Sequence, residues 1–318
     1  MAAARAAAAQ DRARLAEEFL TWKFGMFLHF HIATFVSREW ALGYEDPLLF
    51  SPGKLDTGQW ADEAAAVGMR YGVFTVKHTE GWPLWDSAHT THDITQFRNF
   101  RGGKGDLVKE YTGAFRARGL KVGLYYCLPN NFASRRGRTL PPGAPDLHGL
   151  PPEAAGDFVG FVKKQLTELL TGYGRIDLLW IDQYSNPYTG PQWPEIRAHV
   201  YSLQPECLVL ANNSRSLDES DLLSYEYPWS GNKQRLPPPE NTIPTEVSDS
   251  IHKKAWFWRE SGPDDLWSVE EIVWRKTASN TRRANYLLNV PPDRQGLISG
   301  VFLERLRGIG EALKREGR

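Results

Sequence analysis

The chain has 318 residues, 38 of them Lys or Arg and 38 Asp or Glu, so its formal net charge at neutral pH is zero. That length suits one large α/β barrel or two ordinary domains, and a balanced charge supplies no field to gather nucleic-acid phosphate or anionic lipid, which argues against both as partners. Hydrophobic residues at 41% and charged ones at 24% describe a globular chain, and no apolar run approaches the ~18 residues that a membrane-spanning helix needs.

Residues 1–23 are rich in Ala and Arg and also hold Asp11, Glu17 and Glu18. They lack the apolar core and cleavage site of a secretory signal, and the acids argue against a matrix-targeting peptide. Leu15, Phe19 and Leu20 at helical spacing predict a helical lead-in. With no address in these residues, a cytoplasmic location is expected, or a secreted or periplasmic one if a signal was trimmed.

From residue 24 to residue 318, strand-like and helical runs alternate. Strands are expected at Phe24–Phe30, Tyr71–His78, Lys121–Leu128, Ile176–Asp182, Cys207–Asn212, Leu222–Tyr227, Ala255–Trp258 and Asn285–Val290. Helices are expected at 57–67, 106–118, 154–172, 193–203, 268–280 and 299–316. Alternation implies a parallel sheet, and eight such units imply a closed (β/α)8-like TIM barrel rather than a doubly wound sheet. The links after the fifth and sixth strands are short or irregular, so the barrel is expected to be imperfect there. Two proline-rich stretches, 140–152 and 236–244, read as loops because the alternation resumes after each. One barrel over 24–318 is therefore expected, with no C-terminal β-sandwich.

Cys127 and Cys207 lie in apolar runs and read as buried free thiols. Twelve Trp and twelve Tyr against three Met suit a protein that stacks ring-shaped ligands. The segment Arg101–Asp106 (RGGKGD) lacks the spacing of a phosphate loop, and Asp106 reads as the N-cap of the next helix.

In such barrels the reactive groups stand at the carboxyl ends of the strands. Those ends carry His29 and His31, then His78 to Glu80, Tyr125 and Tyr126, Asp182, Asn212 to Arg215, Glu226, Trp256 and Asn289. Leu178, Trp180 and Asp182 share one face by the period of two. A carboxylate at the tip of an apolar strand is costly to bury unless something pairs or uses it. A turn cap for Asp182 and a salt bridge from Glu226 to Arg215 are the structural alternatives. Two strand-end carboxylates among aromatics are also the equipment of glycoside hydrolysis: one attacks the anomeric carbon, and the other, its pKa raised, protonates the leaving oxygen.

His29 and His31 open a second reading, the His-x-His of metal-dependent barrel hydrolases. Such sites draw further ligands from the fifth, sixth and eighth strands. Here those positions hold Asn212 and Asn213, Tyr225 to Tyr227, and Asn289, so no metal is expected. Neutral histidines instead suit sugar hydroxyls, being both donor and acceptor.

From about Trp22 to its end the chain resembles the α-L-fucosidases of glycoside hydrolase family 29. WKFGMFLHF is similar to the family's KFGIFIHWG, SREW to its EW element and FTVKHTEGWPLWDS to its TxKHHDGFxLWDS. GLKVGLYYCLP is similar to GLKxGLYYS, IDLLWID to the nucleophile strand, and NYLLNVPPDRQGLI to NLLLNxxPxxDGxI. The resemblance implies an exo-acting, retaining α-L-fucosidase that needs no cofactor and takes a fucosylated glycan or glycoside. It makes Asp182 the nucleophile and Glu226 the acid/base, with Glu219 as its rival. His29, Glu39, Trp40, His78, Tyr126, Arg215 and Trp256 would line the fucose pocket. Thr79 stands where the family has a second pocket His, and Gln183 where it has Gly. A metal-dependent barrel hydrolase and a fucose-binding homologue without turnover are the remaining alternatives.

Overall fold

Eight parallel strands make one sheet in the order β5-β4-β3-β2-β1-β8-β7-β6 in the computed structural model, which describes residues 2–128, 157–185, 190–226 and 236–317. The strands are β1 (Phe24–Leu28), β2 (Tyr71–Lys77), β3 (Lys121–Cys127), β4 (Leu178–Asp182), β5 (Leu208–Ala211), β6 (Leu223–Glu226), β7 (Thr245–Ser250) and β8 (Ala284–Asn289). The helices are α1 (Ala2–Leu20), α2 (Ile32–Val36), α3 (Thr57–Ala66), α4 (Leu107–Ala117), α5 (Phe158–Gly172), α6 (Trp193–Leu203), α7 (Val269–Asn280) and α8 (Gly300–Arg315). The proline-rich stretch 140–152 and Tyr227 lie outside the described residues.

Apolar side chains sort by strand parity into two layers. Phe27, Tyr71, Val73, Tyr125, Leu178, Trp180 and Leu287 fill the lumen. Met26, Phe74, Val122, Leu124, Ile181 and Leu288 face the surrounding helices. Asp106 caps α4, accepting from Lys109 N at 2.9 Å, and both cysteines are buried and free. Among the described residues no helix is long and apolar enough to cross a membrane.

The lead-in helix closes the floor of the barrel. Leu15, Ala16 and Phe19 of α1, with Trp22, join the lumen cluster; Phe19 and Trp22 lie edge-on and tilted against Tyr71, centroids 5.8 and 5.4 Å away. Asn285 ties the helix end to β8, donating to Phe19 O at 2.6 Å.

The expected irregularity is a seam. Among the described residues β5 and β6 share no ladder, and no helix links them. Two side chains from the segment before β6 substitute for a strand. Asp221 Oδ2 accepts from Val209 N at 2.7 Å, and Ser220 Oγ accepts from Ala211 N at 2.9 Å. The β5 amides that face the seam, Val209 and Ala211, are thereby satisfied without a strand on that side.

The seventh strand differs from expectation. It is Thr245–Ser250 (TEVSDS), whereas Ala255–Trp258 forms the loop beyond it. All six residues of β7 are buried although most are polar. Glu246 points inward to Tyr71 and Trp180, and Asp249 points outward to Arg275 of α7 at 2.7 Å. Polar residues satisfied by distant partners give a strand no apolar signature.

Candidate active site

Asp182 ends β4 and Glu226 ends β6, and both are part-buried at the mouth. Asp182 accepts three hydrogen bonds: Tyr125 Oη at 2.8 Å to Oδ2, and Asn212 Nδ2 at 3.1 Å and Gln183 N at 2.8 Å to Oδ1. Gln183 reaches that position through a left-handed backbone, φ 57°. Glu226 Oε2 accepts from the same Asn212 Nδ2 at 2.9 Å and from Asn213 Nδ2 at 3.4 Å. Ser224 Oγ donates to Asn212 Oδ1 at 3.1 Å, which orients the amide so that its nitrogen faces both carboxylates. Burial, and then the charge of Asp182, push the Glu226 pKa up to about 7 against the smaller opposing effect of the two asparagines.

A wall of rings adjoins this pair. His78 stacks on Tyr125, centroids 5.6 Å apart, and Trp256 stacks on His29 at 4.9 Å. Phe257 meets both imidazoles edge-on at 5.3 and 5.0 Å. His29 Nδ1 lies 2.9 Å from Asn289 Oδ1, while Asn289 Nδ2 donates to Trp256 O at 2.7 Å. Burial, and then the neighbouring His78, push the His29 pKa well below its ordinary value, so the ring is neutral. Glu39 braces the aromatic loop, accepting from Trp256 N and from Arg259 Nη2, each at 2.7 Å.

A family model described as Alpha-L-fucosidase matches residues 41–318. The chain belongs to the alpha-L-fucosidase family. Alpha-L-fucosidase 1 of Arabidopsis thaliana is 28% identical over 326 residues, covering 92% of this chain and 58% of that protein. The human plasma alpha-L-fucosidase is 28% identical over 356 residues, covering 96% and 69%. Alpha-L-fucosidase isoenzyme 1 from Paenibacillus thiaminolyticus superposes with a TM-score of 0.76 at 27% identity, covering 96% of this chain and 77% of that one. The chain spans little more than half the length of the plant relative.

The fold brings His29, His78, Trp256, Asp182 and Glu226 together, with Glu39 behind Trp256. Arg215 packs on β6: its guanidinium stacks on Tyr225 at 3.8 Å and donates to Ser224 O. Trp40, next to Glu39, is 44% exposed. Tyr126 faces away from the lumen, donating to Gln165 of α5 at 2.6 Å. Its neighbour Tyr125 is the lumen residue, because adjacent strand residues point to opposite faces. Glu219 accepts from Tyr184 Oη at 2.7 Å and from Ser214 Oγ at 3.2 Å, a setting apart from Asp182.

His31 does not share the pocket of His29. It caps α2, its Nε2 meets Trp82 O at 2.9 Å and its Nδ1 meets Glu80, so the His-x-His pair does not converge on one point. Among the described residues no three His, Cys, Asp or Glu side chains group as metal ligands. Asn212, Asn289 and Tyr125 hold the candidate groups in place, and in the sequence they carried no role beyond a strand-end position. All three sit at strand ends, and that position was their only local signal.

Proposed function

We propose that the chain is an exo-acting α-L-fucosidase that retains anomeric configuration. The observation that carries the reading is the single amide nitrogen of Asn212, bonded to both carboxylates at 3.1 and 2.9 Å. Those oxygens stand no further apart than the sum of the two distances. That fits the closely set carboxyl pair of retaining enzymes better than the ~6.5–9.5 Å that leaves room for water in inverting ones.

Asp182 attacks the anomeric carbon while Glu226 gives its proton to the departing glycosidic oxygen, leaving a β-linked fucosyl ester on Asp182. Glu226, now ionised, takes a proton from water as that water attacks the same carbon, and L-fucose leaves with its α configuration. A Glu226 pKa near 7 suits a group that is first acid and then base. The aromatic wall of Trp256 and Phe257 suits the apolar methyl of fucose, and the two imidazoles suit its hydroxyls.

The test is proton NMR of 4-nitrophenyl α-L-fucoside hydrolysis. α-Fucose as the first-formed anomer supports the reading; β-fucose first would mean inversion, and no turnover would remove the enzymatic reading itself.

A further inference from the structure

Glu80 takes no part in the double displacement, yet it is wholly buried beside the pocket. Its Oε2 lies 3.1 Å from His78 Nδ1 and its Oε1 lies against His31 Nδ1. Burial raises its pKa, but the two histidines outweigh burial and hold the carboxyl well below the usual range. An ionised carboxylate offers acceptors only, so its hydrogen bond to His78 requires a proton on Nδ1. In a neutral ring the opposite nitrogen, Nε2, is then bare.

His29 has the same arrangement from a different anchor. Asn289 Nδ2 is committed to Trp256 O and Ser250 Oγ, at 2.7 and 3.1 Å. Its Oδ1 is therefore the acceptor that meets His29 Nδ1, and Nε2 of His29 is likewise bare. The two rings lie 6.0 Å apart by centroid, within reach of one sugar. Neither Nε2 takes a hydrogen bond from a described residue.

We propose that Glu80 is a positioning residue that fixes His78 as its Nδ1–H tautomer, so that His78 and His29 present two bare imidazole nitrogens and select a sugar offering two donor hydroxyls. The selectivity rests on the fucosidase reading of the site; the tautomer does not, and is measured without substrate. Thr79 Oγ1, 3.3 Å from His78 Nδ1, is the competing holder.

Long-range proton–nitrogen NMR of the 15N-labelled chain reports the protonated nitrogen of each imidazole, with His78 assigned through the His78→Gln spectrum. Wild type is expected to show His78 protonated on Nδ1. Glu80→Gln, whose amide can donate to Nδ1, is expected to move that proton to Nε2, whereas Thr79→Val leaves it in place. The same Glu80→Gln should raise KM for 4-nitrophenyl α-L-fucoside about ten-fold, the effect of one lost hydrogen bond, with kcat changed far less. A wild-type His78 protonated on Nε2 overturns the proposal even if Glu80→Gln does not fold, and so does a proton that moves in Thr79→Val instead. An intact Nδ1–H signal in a wild type without turnover overturns the fucosidase reading and leaves the tautomer assignment standing.

Discussion

Asp182 and Glu226 arrive on strands that do not adjoin, and one side-chain nitrogen joins them: Asn212 Nδ2, 3.1 Å from the first and 2.9 Å from the second. Asn212 follows β5, on the edge of the seam, and Ser224 from across the seam fixes its amide. The irregularity of the barrel therefore lies under the two carboxylates. Asn212→Ala should lower kcat/KM about 10²-fold, the usual effect of losing one oriented donor in an active site. Because Asn212 lowers the Glu226 pKa, the same variant should shift the basic limb of the pH–rate profile upward. Steady-state kinetics from pH 5 to pH 9 measure both; a loss of rate with an unmoved limb would contradict the bridging role.

With Glu226 as the proposed proton donor, the pH profile of the wild type follows from its pKa. With its pKa pushed up to about 7, the proton donor is lost as pH rises through that value, so kcat/KM for a fucoside with a poor leaving group should fall above about pH 7. Glu226→Gln, measured on an activated aryl fucoside, should retain residual turnover with no basic limb near 7. Persistence of that limb would assign it to another group, Glu219 first.

Stability should carry the same signature. Glu226 and Glu246 both have folded pKa values of about 7, each raised chiefly by burial. A carboxyl whose folded pKa lies above its unfolded value binds more protons folded than unfolded. Its contribution is full below the unfolded value, near 4.5, and is lost as pH climbs through 7. Urea midpoints should therefore fall between pH 5 and pH 8. Glu226→Gln should remove part of the slope, on the order of 1–2 kcal/mol after allowance for its partial exposure. An unchanged slope in that variant would contradict the raised Glu226 pKa.

Gln183 occupies a left-handed conformation, φ 57°, immediately after Asp182. A side chain there costs conformational energy that Gly escapes, and the backbone N–H that reaches Asp182 is present in either residue. Gln183→Gly should leave kcat close to wild type and stabilise the fold by about 0.5–1 kcal/mol, read as a higher thermal midpoint. A marked loss of kcat would mean that the Gln183 side chain contributes to the site.

Most of this architecture was legible in the chain because its strands are apolar runs with the same parity on every turn of the barrel. The seventh was hidden: Glu246 and Asp249 are satisfied by Tyr71, Trp180 and Arg275, partners that no local pattern announces. The apolar run Ala255–Trp258 drew the assignment instead, although its Trp256 belongs to the pocket wall. Tyr125 and Tyr126 could not be told apart for a similar reason. Alternation says that they face opposite ways, but which one enters the lumen is settled by the neighbours, Asp182 for one and Gln165 for the other. Asp182 was visible as a carboxylate on an apolar strand tip. Asn212 was visible only as a strand-end residue, and its bond to both carboxylates emerged once the seam brought β4, β5 and β6 around it.

The most direct measurement of the central claim is azide rescue of Asp182→Ala on 4-nitrophenyl α-L-fucoside, with the product's configuration read by NMR. The account predicts near-total loss of activity without azide and recovery with it, as azide enters the space left by the carboxylate and yields β-fucosyl azide. Full activity in Asp182→Ala, or recovery giving the α-azide, would contradict Asp182 as the nucleophile.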